Sequence, residues 1–244
     1  MSQIQPSNEQ DLQENLRSIK EHAILMQNSE PEAILEWAVK HYPTITMATA
    51  FGAEGCVILE MLSRVEGGKS VRVFNLDTGY QFIETLELRD TIAAKYGIEV
   101  EFVRAKETVA EMEARLGGPI YGTQPDECCR MRKLVPLREA LEGHEAWITA
   151  IRRDQTKDRS IAEVVEWDSK FNLIKVNPLA HWSKSDVWAY ITINDVPYNP
   201  LHEQGYPSIG CQPCTRRVAL GEDERAGRWA SFAKLECGLH SRTA

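Results

Sequence analysis

Thr44-Ile45-Thr46-Met47-Ala48-Thr49-Ala50-Phe51-Gly52-Ala53-Glu54-Gly55 is the stretch on which the reading of the fold turns. Thr44 to Ala50 is β-branched and apolar, which predicts a buried strand. Phe51-Gly52-Ala53-Glu54-Gly55 then turns the chain, and Cys56 to Leu62 carries a helical run. A strand feeding a helix through a glycine-containing turn presents backbone N–H groups and a helix N-terminus, which together suit an anion. Such a turn is a weak signal alone. Its neighbours decide whether it belongs to a larger α/β unit.

They repeat the pattern. Upstream, Ser7 to about Gln27 reads as an amphipathic helix with Leu12, Leu16, Ile19 and Ala23 on one stripe. Ser29-x-x-Glu32 reads as a capping box that opens a second helix through Ile34, Leu35, Ala38 and Val39. Downstream, Val71 to Leu76 is a strand, followed by the turn Asp77-Thr78-Gly79-Tyr80 and a helix from about Phe82 to Tyr96. Ile98 to Val103 and Ala146 to Ile151 add two more strands, and residues 161–177 could supply a hairpin or edge strands. Ser183 caps a helix through Val187, Trp188 and Ile191. Strands alternating with helices predict an α/β, doubly wound, mostly parallel sheet. From Asp195 the chain is rich in Gly, Pro and Arg with weak periodicity, and reads as an irregular tail draped over the domain. The expected division is a helical segment 1–28, an α/β domain 29–194 and a tail 195–244.

Composition narrows the function. The chain has 244 residues, 43% of them hydrophobic, which is enough for a real core. No run approaches the ~18 apolar residues of a membrane span, and the first ten residues do not form a signal peptide. The expected location is the cytoplasm, where thiols stay reduced and clustered cysteines point to metal binding or catalysis. A net charge of −8 argues against a general nucleic-acid binder. Cations are nevertheless bunched at Arg130, Arg132 and Lys133, at Arg152, Arg153, Lys157 and Arg159, and at Arg216, Arg217, Arg225 and Arg228. Solvated surface charge explains any one group; together they suggest a pocket for a small polyanion.

The cysteines carry the sharpest signal. Cys128 and Cys129 are adjacent, and Cys211-x-x-Cys214 follows far along the chain. Four thiolates suit zinc or an iron–sulfur cluster, and both readings stay open on spacing. Adjacent cysteines fit one tetrahedral ion poorly, whereas a [4Fe–4S] cube spreads its sites over several ångströms. Cys56 reads as a small buried hydrophobe. Cys237, in Glu236-Cys237-Gly238-Leu239-His240, has no partner cysteine and is either an idle thiol or a nucleophile. Leu76-Asp77-Thr78-Gly79 lies at the same sheet edge as the first turn, with a carboxylate that could accept from a ribose or adenine.

Five segments in order carry a family resemblance: Cys128-Cys129-x-x-Arg132-Lys133, Arg152-Arg153-Asp154-Gln155, Gly205-Tyr206-Pro207-Ser208-Ile209-Gly210-Cys211-x-x-Cys214, Gly227-Arg228-Trp229 and Glu236-Cys237-Gly238-Leu239-His240. Over roughly residues 30–240 the chain resembles the assimilatory, thioredoxin-dependent adenylyl-sulfate (APS) reductases of the bacterial branch that carries a [4Fe–4S] cluster. The resemblance implies an adenine-nucleotide α-hydrolase-like fold. It implies reduction of adenosine 5′-phosphosulfate to sulfite and AMP, with electrons from thioredoxin. Cys128, Cys129, Cys211 and Cys214 would hold one cluster per chain. Cys237 would be the nucleophile, with Lys133 and His240 as further catalytic residues. Arg159, Arg225 and Arg228 would bind phosphate and sulfate. Thr49, Ala50, Phe51, Gly52 and Glu54, with Leu76, Asp77, Thr78 and Gly79, would cradle the nucleotide.

Two departures stand out. The first turn often carries serines where this chain has Thr49 and Ala50, so backbone contacts must serve there. Ala150 stands where the family often has glycine. The plant-type enzymes add a C-terminal redox domain, which this sequence lacks after Cys237, so an external reductant is expected. Three alternatives remain from the residues: the sister phosphoadenosine phosphosulfate (PAPS) activity, an ATP-pyrophosphatase-type nucleotidyl transferase, and a non-catalytic zinc module. The second would need a Ser-Gly-Gly-x-Asp-Ser loop, which Thr49 to Gly55 does not supply. Oligomeric state is not encoded in any motif, and a homo-oligomer stays open.

Overall fold

The computed structural model describes residues 9–230 together with 232, 234, 238 and 239. Cys237 and His240 lie outside the described residues. β1 (Ile45–Thr49) forms the expected strand, with four of its five residues buried. It leads into α3 (Ala53–Arg64). β2 (Arg72–Asp77), α4 (Ile83–Tyr96) and β3 (Val100–Arg104) repeat the unit. β4 (Ala146–Ile148), the hairpin β5 (Val165–Asp168) and β6 (Leu173–Val176), and α8 (Lys184–Asn194) complete the second half. The sheet order is β3-β2-β1-β4-β6-β5, parallel throughout except for β5 on the edge. The chain winds outward from β1 to β3, then returns to the other side of β1 with β4. In such sheets the crevice at this reversal, beyond the carboxyl ends of the strands, is where ligands bind.

Two apolar layers hold the sheet. On one face Leu35, Ile58, Leu59, Leu62, Ile148, Val176 and Ile191 pack as one cluster that joins α2 (Pro31–His41), α3 and α8 to the strands. α3 is buried on nearly all sides, and Cys56 within it is fully buried, its thiol pushed far up by burial and by the charge of Glu54. On the other face Phe74, Leu76, Trp147 and Leu173 pack against Leu137, Ala140 and Leu141 of α7 (Val135–Leu141). The N-terminal helix α1 (Glu9–Met26) lies along β5 and adds Ile19 to the first cluster. No helix among the described residues is long and apolar enough to cross a membrane.

Two local expectations change. The Ser29–Glu32 capping box does not form: α2 begins with Glu30 as its cap and Pro31 at its first position. Proline pre-sets the helical φ and fixes the start there, while the Ser29 N–H finishes α1 by donating to the Met26 carbonyl at 3.0 Å. β4 stops at Ile148, short of Ile151, because the chain leaves the sheet to line a cleft. The 161–177 reading holds: β5 and β6 form an antiparallel hairpin, β6 joins the main sheet in parallel with β4, and β5 is the edge strand.

The stretch between β3 and β4 holds helices that hydrophobic periodicity did not reveal: α5 (Val109–Leu116), α6 (Pro125–Cys129), a π-helical turn (Arg130–Leu134) and α7. The signals were there in capping chemistry. Thr108 and Glu111 make a reciprocal capping box, and Pro125 sits at an N-terminal position of α6. Leu59→Ala, which empties a fully buried site on α3, should cost about 2–5 kcal/mol in urea unfolding.

Candidate active site

A cleft of about 420 Å³ opens at the carboxyl ends of β1, β2 and β4. The first turn forms one wall, with Thr49, Ala50, Gly52, Glu54 and Gly55 all lining it. Local chemistry shapes this turn. The Thr49 hydroxyl accepts the Phe51 N–H at 3.1 Å, and Phe51 takes a left-handed φ of 54°. A Cβ on Gly55 would fall 2.7 Å from Thr49 Oγ1, so glycine lets the helix start close against the strand. Phe51 itself is buried in the core rather than on the cleft wall.

The second turn is split. Leu76 and Thr78 line the cleft; Asp77 and Gly79 do not. Asp77 Oδ1 accepts the Gly79 N–H at 3.0 Å and Oδ2 accepts Arg104 Nε at 2.7 Å. The expectation that this carboxylate faces a ribose or adenine is therefore corrected. A mostly buried carboxylate keeps its nearest donors, and here those are a backbone amide and an arginine.

The tail roofs the cleft. Gln212 N–H donates to the Tyr80 carbonyl at 2.7 Å, and Gln81 and Cys211 form an isolated antiparallel bridge. The tail folds on itself where Trp229 N–H donates to the Cys214 carbonyl at 3.0 Å. These contacts bring Cys211 and Cys214 to Cys128 and Cys129 on α6. All four line one small cavity with Tyr80, Tyr121, Arg132, Lys133 and Trp229. Arg132, buried, donates to the Thr78 carbonyl at 2.9 Å and to the Glu107 carbonyl, clamping the second turn to the cysteine helix. Among the described residues no group of three or more His, Cys, Asp or Glu side chains is gathered as a single-ion site.

Lys133, Cys211 and Trp229 line both this cavity and the cleft. Burial drives the Cys128 thiol up to about 12, with the neighbouring Cys129, Cys211 and Cys214 adding to the rise. Cys214 is raised by burial and by Cys211. Cys211 goes the other way. Burial opposes its thiolate, but the Lys133 ammonium, the Thr78 hydroxyl at 3.2 Å and the Arg228 charge outweigh it and hold the thiol below its usual value.

Lys133, Arg152, Arg159, Lys184, Arg225 and Arg228 face the cleft against the carboxylates of Glu54, Glu203 and Glu224. The site is thus electropositive within an acidic chain. Arg228 is held by the Ile209 carbonyl at 3.2 Å and lies 4.5 Å over the Trp229 ring. Glu54, expected to touch substrate, lines the cleft, but its Oε1 accepts Arg152 Nε at 2.9 Å and Gln155 Nε2 at 3.0 Å. Arg152, Gln155, Lys184, Trp147 and His202 were not on the expected site; Arg152 and Gln155 had a signal in the Arg-Arg-Asp-Gln segment. Gly238 and Leu239, directly after Cys237, are placed: Lys170 Nζ donates to the Gly238 carbonyl, and Leu239 lines the cleft.

A doubly wound sheet with an electropositive crevice at its reversal point and a thiol-lined cavity beside it defines a class of α/β proteins that bind anionic nucleotides. Residues 44–217 match the phosphoadenosine phosphosulfate reductase domain family, and the chain belongs to that family. It is 41% identical over 240 residues to an adenosine 5′-phosphosulfate reductase of Mycolicibacterium smegmatis, covering 98% of this chain and 99% of that protein. It is 45% identical over 215 residues to a phosphoadenosine 5′-phosphosulfate reductase of Gloeobacter violaceus, covering 86% and 88%. The crystal structure of a phosphoadenylyl-sulfate reductase from Candida auris superposes with a TM-score of 0.72 at 31% identity, covering 82% of this chain and 96% of that one. Candida glabrata FMN adenylyltransferase, at a TM-score of 0.53 and 16% identity over 89% and 71% of the two chains, shares the fold.

Gly210 lets the tail backbone pass against Arg228: a Cβ there would lie 2.2 Å from Arg228 Nη2. Gly210→Ala should displace that guanidinium and weaken AMP binding by about tenfold, read by titration calorimetry.

Proposed function

We propose that the protein reduces adenosine 5′-phosphosulfate to sulfite and AMP with reduced thioredoxin, through an S-sulfonate on Cys237. The observation that carries the reading is the shared wall: Cys211 and Lys133 belong both to the electropositive cleft and to the four-thiol cavity. A site for a sulfated nucleotide thus adjoins a site for a thiolate-held cofactor. The names of the relatives support the substrate class.

The adenosine end would occupy the cleft between the first turn and Leu76, where Ala48, Ala50, Gly52 and Ala53 also line the wall. Arg159, Arg225 and Arg228 would take the phosphate and sulfate. The Cys237 thiolate attacks the sulfate sulfur, and the sulfur–oxygen bond to phosphate breaks. AMP leaves, and the enzyme keeps a cysteine S-sulfonate. A thioredoxin thiolate then attacks Cys237 Sγ and sulfite departs; the second thioredoxin thiol resolves the mixed disulfide. Sulfur gains two electrons and the thioredoxin dithiol becomes a disulfide, so the electrons balance. Lys133 and the arginines stabilise the charge that develops on the leaving phosphate. His240 would assist beside the nucleophile, and the tail that begins at Asp195 would bring it to the substrate.

Cys128, Cys129, Cys211 and Cys214 would hold a [4Fe–4S] cluster. Four thiols on a cavity with no imidazole or carboxylate among its described lining residues suit a cube of irons and sulfides. Such a cluster supplies a covalent tie between α6 and the tail and a fixed local charge. A soluble enzyme of this chemistry belongs in the cytoplasm.

The PAPS reading is kept because the Gloeobacter relative bears that name. Sulfite release from both nucleotides with one thioredoxin decides between them. APS should win in kcat/KM by at least about tenfold, or about 1.4 kcal/mol, and Cys237→Ser should release no sulfite from either. Equal or reversed values would leave the PAPS reading standing, and a sulfonate adduct on Cys56 would remove Cys237 from the mechanism. Cys129→Ser should lose iron and soluble protein together. A colourless wild-type protein without absorbance near ~400 nm would favour zinc instead.

A further inference from the structure

We infer that Gln155 is a positioning residue that aims Arg159 into the cleft, with the Glu54–Arg152 ion pair as its anchor; the inference rests on the cleft being an anionic-nucleotide site. Glu54 is an odd residue for such a place, since a carboxylate on the wall repels the ligand. Its setting removes the difficulty. The Arg152 side chain is only 5% exposed and its Nε donates to Glu54 Oε1 at 2.9 Å. The two residues come from opposite sides of the crevice, Glu54 from the start of α3 and Arg152 from the segment after β4. Their pairing offsets the carboxylate's charge beside a buried guanidinium, with Glu54 itself partly exposed on the cleft wall.

The same Glu54 oxygen accepts Gln155 Nε2 at 3.0 Å. An amide side chain has one donating end and one accepting end. With Nε2 committed to the carboxylate, Oε1 must face the other way. There it accepts the Arg152 backbone N–H at 3.1 Å and Arg159 Nη1 at 2.6 Å. Glu54 therefore sets the orientation of the amide, and the amide supplies an acceptor that holds the guanidinium. The turn that carries Gln155 is fixed from outside as well: Arg152 pairs with Asp154, whose Oδ2 accepts the Lys184 N–H at 3.1 Å.

The choice of an amide over a carboxylate matters. Glutamate at this position would bond the guanidinium more strongly and cancel its charge. It would also set two carboxylates side by side. A neutral acceptor orients Arg159 without adding a negative charge of its own beside the guanidinium.

The test is a double-mutant cycle on the full chain with its metal content intact, using AMP as the probe and calorimetry as the readout. Gln155→Ala should weaken AMP binding by about tenfold in the wild-type background and by less than about twofold when Arg159 is already alanine. Effects that simply multiply would show that Gln155 acts by a separate route and would overturn the inference. Gln155→Glu, which keeps the side-chain volume, should bind AMP about as weakly as Arg159→Ala and with a flatter salt dependence. Wild-type affinity and salt dependence in Gln155→Glu would equally overturn it. A wild-type protein that binds neither AMP nor APS would instead bring down the reading of the cleft, and this inference with it.

Discussion

The site depends on the tail crossing the carboxyl edge of the sheet, and backbone hydrogen bonds hold it there. The Gln212 N–H reaches the Tyr80 carbonyl, and Cys211 bridges to Gln81 beside it. Without that crossing, Cys211 and Cys214 would not meet Cys128 and Cys129, and Arg225 and Arg228 would not face the first turn. Backbone bonds suit the task because they fix the path of the chain whatever side chains follow. The second turn must be equally fixed to receive the tail. Asp77 and Arg132 do this from two sides, one gripping the Gly79 N–H and the other the Thr78 carbonyl.

A second constraint is electrostatic. Six cations face one cleft in a chain whose net charge is −8. Cations crowded together repel, and burying them costs solvation. Neutral groups are among the partners that hold them. Arg228 rests on a carbonyl and an indole face, and Arg159 on an amide. Others are tied to carboxylates, Arg152 to Glu54 and Asp154 and Lys184 to Glu224. The same surplus explains why Cys211 is held below its usual value while Cys128 and Cys214 are raised. The Lys133 ammonium, the Thr78 hydroxyl and the Arg228 charge together favour its thiolate.

Much of the fold was legible. Buried strands such as Ile45–Thr49 announce themselves by unbroken β-branched and apolar residues, and the glycine turn after them marks the start of α3. The Ser183 cap was read correctly because nothing competes with it: Ser183 and Asp186 bond reciprocally. The equivalent pattern at Ser29 failed because Pro31 dictates the helix start. The segment from Val109 to Leu141 was missed because short helices around the four-cysteine cavity bury little regular apolar stripe. Their periodicity is broken by Gly117, Gly118 and the π-helical turn.

By itself the sequence determined the alternation of strands and helices, the four cysteines with a metal-binding pattern, the family and the bunching of arginines. These are properties of residue type and spacing, and local chemistry expresses them. Which groups face the cleft was decided only by the tertiary structure. Asp77 and Glu54 are both acidic residues in turns at the same sheet edge, yet one braces a turn away from the cleft and the other anchors Arg152 and Gln155 on its wall. A carboxylate goes to the donors that packing brings nearest, and those donors come from segments far away in the chain. No local pattern records that meeting, because it exists only once β4 has returned to lie beside β1.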